Sequence, residues 1–164
     1  MAKYQFNTRS AAAPTPTNCA ATAKTFISVT AQTTGLCRGQ IYEMNVGADG
    51  APNATDCQIV YDVSRQTSLG TGVTPTIQSL FPSDVATRAV GRINYTVEPT
   101  YAGTTDFTVS VWSVILNQRA SQRWIAAPGS VLLWPATNVN GLGGRAVSPT
   151  YAAPIGYNVF YDDL

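Results

Sequence analysis

The sequence predicts an all-β protein, an antiparallel β-sandwich of about eight strands, jelly-roll-like, with an extended N-terminal arm. Three observations predict it. Short segments alternate apolar with polar residues, as half-buried strands do. Clusters of Gly, Pro, Asn and Asp separate those segments and supply turns. No window long enough for a helix is free of proline and β-branched residues. The length of 164 residues suits one compact unit that buries roughly 70% of its unfolded surface. The reading is an arm over residues 1–23 followed by a single β-sandwich domain over 24–164.

The elements follow in order. Residues 8–23 contain two prolines and many small side chains with no apolar period, so they run extended as an arm. Tyr4 and Phe6 stand before the arm at period two, which puts both rings on one face of a short strand. There they either anchor the arm on a neighbouring surface or fill the protein's own core. Residues 24–30, 40–46 and 57–63 read as strands, with Cys57, Ile59, Tyr61 and Val63 on one face of the third. Residues 47–53 are dense in turn formers and make a loop. In residues 70–84 the spacing of Ile77, Leu80 and Phe81 suggests one turn of helix stopped by Pro82. That loop is either a contact arm for a partner or a crossover between sheets. Residues 93–97, 107–116, 121–126, 130–134 and 157–161 read as further strands, and Gly141, Gly143 and Gly144 as a flexible bend.

Composition bears on function. There is no histidine, so Ser-His-Asp and Cys-His arrangements cannot form and imidazole metal sites are ruled out. Cys19, Cys37 and Cys57 lack paired metal-ligand spacing and read as three reduced thiols, Cys57 as a small buried hydrophobe. A Cys19–Cys37 disulfide formed after cell lysis is the alternative. The nine acidic residues give no carboxylate pair special standing, and the loop over 49–56 does not match a calcium-binding pattern. No catalytic, cofactor-binding or metal residues are assigned, and no cofactor is expected. The arginines are scattered with no run of two, which argues against nucleic acid. No apolar stretch of membrane-spanning length and no signal-peptide pattern occur, so no membrane partner and synthesis in a cytosol are expected.

Charged residues make up 12% of the chain and the net charge is +1, so the surface is neutral and hydroxyl-rich. Such a surface is weakly repelled from copies of itself and suits a protein that works inside an assembly. Trp112, Trp124 and Trp134 lie in apolar strands and read as buried, although exposed tryptophans on a sandwich form the platforms of glycan-binding modules. Arg119 and Arg123, four apart, would share one side of a strand and reach carboxylates or a ring.

The stretch over residues 117–137, NQRASQRWIAAPGSVLLWPAT, resembles a segment of small virion structural proteins of tailed bacteriophages. The start, YQFNTR over 4–9 followed by AAAPT over 11–15, and VEPTY over 97–101 are similar to the same proteins. Together they cover about a quarter of the chain. The resemblance implies a capsid decoration or cement protein, made in the host bacterial cytoplasm and placed on the capsid surface of the virion. Its partner would be the major capsid protein of the same virus, and it would self-associate as a homo-oligomer, a trimer being one option. Candidate assembly contacts are Tyr4, Phe6, Arg9, Pro14, Pro16, Arg119 and Arg123. A glycan-binding, tail or connector sandwich of a phage particle is the alternative, and a glycosidase-like enzyme with two converging carboxylates a further one.

Overall fold

The computed structural model describes residues 2–11, 16–103 and 109–164. Among them lie twelve strands and no helix: β1 (Lys3–Asn7), β2 (Lys24–Ala31), β3 (Gly39–Ala48), β4 (Gln58–Gln66), β5 (Thr71–Val73), β6 (Gln78–Ser79), β7 (Ala89–Val97), β8 (Ser110–Asn117), β9 (Ser121–Ile125), β10 (Leu132–Trp134), β11 (Gly141–Val147) and β12 (Ile155–Asp163). One sheet runs β10-β3-β12-β1-β6, with β9 also on β3, and the other runs β5-β7-β2-β11-β4-β8. Every pairing is antiparallel. The all-β sandwich expected from the alternation is therefore observed, with twelve strands where about eight were expected. The additional strands are β1, β11 and two short elements, β5 and β6, whose three and two residues cannot show a period, whereas β10 falls within the expected strand over 130–134.

The alternation sets the core. Phe26, Ile27, Val29, Ile59, Tyr61 and Val63 from the second sheet pack with Ile41, Met44, Val46, Tyr157, Val159 and Tyr161 from the first, all nearly fully buried. Rings interlock across the gap: Phe26 stacks on Tyr157 at 6.4 Å, and Tyr61 meets Tyr157 edge-on at 5.9 Å. The Tyr157 hydroxyl crosses between the sheets, accepting from the Asp62 N–H at 3.3 Å and donating to the Arg145 carbonyl at 2.5 Å.

Two expectations need correction. The stretch of glycines over 141–144 is the start of β11, a central strand between β2 and β4, and not a flexible bend. Glycine suits it because neighbours approach too closely for a side chain: a Cβ on Gly143 would meet the Tyr101 ring and one on Gly144 the Tyr157 ring. Residues 3–7 are likewise not part of a free arm. They form β1, paired from Lys3↔Asp162 to Asn7↔Asn158 with β12 on one side and with β6 on the other. Further along, Asn18 bridges Pro154, and Cys19 is buried in the core with its N–H on the Ala153 carbonyl at 3.0 Å. Apolar alternation at Tyr4 and Phe6 outweighs the extended, featureless composition that follows them.

The outer side of the second sheet is covered by its own chain. Asp62 and Arg145 point away from the first sheet, yet both are buried. Arg145 donates to Asp62 at 2.8 Å and to Ser64 at 2.8 Å, and its guanidinium lies 4.3 Å from the Tyr101 ring centre. Tyr101 in turn is 2.7 Å from the Thr25 hydroxyl. A buried charge pair of this kind is costly to break, since removing one partner strands the other's charge away from water.

All three cysteines are free. Cys19 and Cys37 are buried, whereas Cys57 is only partly so and donates its thiol to Gln118 at 3.3 Å, contrary to the buried role expected for it. Burial pushes the Cys19 thiol up to about 11.

Candidate functional site

The residues between β6 and β7 form a hydrogen-bonded loop with apolar side chains exposed. β6 hydrogen-bonds β1 at the sheet margin, and the chain then turns over residues 81–84, with the Asp84 N–H on the Phe81 carbonyl at 3.0 Å and Pro82 supplying the fixed φ of the turn. The helical turn expected here is thus a β-turn, because β1 captures Gln78 and Ser79 as strand. Side chains tie the projection down. The Lys3 N–H donates to Asp84 at 3.2 Å, the Tyr4 hydroxyl to the Val85 carbonyl at 2.8 Å, and Ser79 to the Phe81 carbonyl at 2.6 Å. At its far end Thr87 donates to Asp163 at 3.0 Å and the Arg88 N–H does so at 2.7 Å. Burial, with Asp163 and Asp84 nearby, raises the Tyr4 phenol above its ordinary value, so it stays protonated as the donor this contact requires.

What this hydrogen-bonded frame displays is apolar. Leu80 is 40% exposed, Phe81 53% and Val85 75%. Loops usually carry polar tips, and a fixed loop offering a phenylalanine, a leucine, a valine and Pro82 to solvent has the character of a contact surface.

The sequence candidates fall in different places. Tyr4 and Phe6 are 2% and 1% exposed and pack on Tyr161 at 5.4 and 6.1 Å, so they are core residues and offer nothing to a partner. Their indirect role, holding the projection through the Tyr4 hydroxyl, is the one the sequence reading lacked. Arg9 is exposed and paired with Asp49 at 2.7 Å. Pro14 lies outside the described residues, and Pro16 is partly buried. Arg119 and Arg123 do not share a strand face: Arg119 sits in the turn between β8 and β9, bonded to Asp56 at 2.8 Å, and Arg123 on β9, bonded to Glu43 at 2.7 Å. Each arginine thus has a carboxylate of its own chain, which holds Asp56 below its ordinary pKa and Arg9 and Arg123 above theirs.

A concavity of about 400 Å³ lies on the outer face of the first sheet. Asn7, Asn158 and Asn45 form a row across β1, β12 and β3 there, beside Gly156 and Gly47. Its charged residues, Arg9 and Asp49, neutralise each other. Among the described residues no group of three or more His, Cys, Asp or Glu is placed to hold a metal ion. Trp134 is buried against Tyr161 at 5.7 Å, while Trp112 and Trp124 are partly buried and lie 6.3 Å apart.

No protein-family model, no curated protein and no solved structure matches this chain.

Proposed function

We propose that this chain is a structural protein of a virus particle, a β-sandwich that binds the outer surface of an icosahedral phage capsid and stabilises contacts between capsomers. The observation that carries the reading is the anchored projection with Leu80, Phe81 and Val85 turned to solvent. An anchored apolar tip on a weakly charged body can seat in a cleft that exists only in the assembled shell, and any ligand that binds the assembled state alone stabilises it by mass action. Many copies, each contributing a modest free energy, add up over a shell. The resemblance over residues 117–137 and the chain's neutral surface point the same way. The major capsid protein is the partner in this reading, and the contact is made by the projection in place of the N-terminal arm.

The glycan-binding alternative draws on the partly exposed Trp112–Trp124 pair and predicts measurable sugar binding. The test is attachment of purified protein to shells lacking it, followed by co-sedimentation. Phe81→Asp and Val85→Asp, at exposed positions, should leave the fold intact and abolish attachment. Normal attachment of both variants would overturn the projection as the contact.

A further inference from the structure

We infer that β8 is a self-association edge, at which two copies of this chain pair β8 to β8, antiparallel, about a two-fold axis. The inference gives a form to the homo-oligomer that the resemblance implies and does not depend on capsid binding.

β8 is the last strand of the second sheet and, among the described residues, pairs only with β4; its register is interrupted by a bulge at Val111, so the regular outward-facing edge runs over 112–117. Free edges are ordinarily protected by charge, proline, brevity or a bulge, and here the bulge guards only the start of the strand. The sequence of β8, SVWSVILN, has no charged residue, no proline and no glycine. The other margins differ. β5 and β6 are three and two residues long, and the outer side of β3 is already taken by β9 and β10. β9, in turn, carries Arg123.

The side chains indicate what fits. Trp112, Val114 and Leu116 pack against the core but remain only partly buried. Ser113 and Ile115, on the opposite side, are exposed, Ile115 to 61%. An occupant must be an uncharged strand that is apolar on the core side, so that the sandwich interior continues across the junction. β8 of a second copy meets that requirement. A two-fold axis at Val114 sets Trp112 opposite Leu116 of the second copy on the core side, and Ser113 opposite Ile115 of the second copy on the other. Such an isologous contact closes at two copies, and a net charge of +1 opposes it little.

The test is sedimentation velocity of the purified chain over a range of micromolar concentrations, beside Ser113→Lys. The substitution is at a solvent-facing position of the monomer and adds the charge that guards natural edges. The expected result is a dimer for the parent and a dimer constant weakened by a factor on the order of tens for the variant. Hydrogen exchange of the parent should also show β8 amides gaining protection as concentration rises. A parent that stays monomeric, a closed trimer, or a variant that dimerises as the parent does would each overturn the proposal. None of these outcomes bears on attachment to shells, which is read separately.

Discussion

At the scale of single residues, the tyrosines dominate the chemistry of this molecule. The chain has eight, and every one is raised above its ordinary value, with burial the first cause in each case. Tyr42 and Tyr95 are pushed up to about 12, and Tyr61, Tyr101, Tyr157 and Tyr161 further still. A phenol that ionises more easily unfolded than folded contributes stability that is complete below its unfolded pKa, near 10.0, and is lost as pH rises beyond it. Tyrosinate absorbance at pH 10 should therefore be well below that of the unfolded chain while the sheet signal in circular dichroism is intact, and most of it should appear together with loss of that signal at higher pH. Reversible titration of several tyrosines near pH 10 with the fold unchanged would contradict the burial described. These positions were partly legible: Tyr61 alternates with Ile59 and Val63, but nothing local marks Tyr101, which is half-buried because it lies over Gly143.

At the scale of elements, strands with full alternation were legible and those without it were not. Residues 24–30, 40–46 and 57–63 declared β2, β3 and β4 to within a few residues because each has one face in the core. β11 was hidden, since its glycines serve neighbours distant in sequence, Tyr101 and Tyr157, and look like a bend when read alone. β1 was half legible. The period of Tyr4 and Phe6 was visible, while its pairing with β12 spans the length of the chain. The arm-like composition after it hid the fact that β1 supports both the core and the apolar projection. Phe6→Ala should accordingly destabilise the protein by roughly 3–5 kcal/mol, as truncation of a buried aromatic does. Chemical denaturation measures it, and a loss under about 1 kcal/mol would return residues 3–7 to the status of a dispensable arm. The sequence leaves the segment over 70–84 open between a contact arm and a crossover between sheets. The hydrogen bonds that tie it down come from Lys3, Tyr4 and Asp163, none of them near it in sequence.

At the scale of the whole molecule, a small β-sandwich with few charges presents three features to its surroundings: an apolar projection, an uncharged edge at β8, and a shallow groove lined by amides. The first two are the contact surfaces proposed above. Low net charge was legible in composition and pointed to assembly, whereas the contact positions were not, because they depend on which apolar residues the fold leaves outside. Membership of a viral shell, as proposed above, is tested by the copy number of the protein in purified virus particles, measured by quantitative mass spectrometry against the major shell protein. Hundreds of copies in simple ratio to that protein are expected; a handful would place the chain in the tail or connector, and none would overturn the structural role altogether.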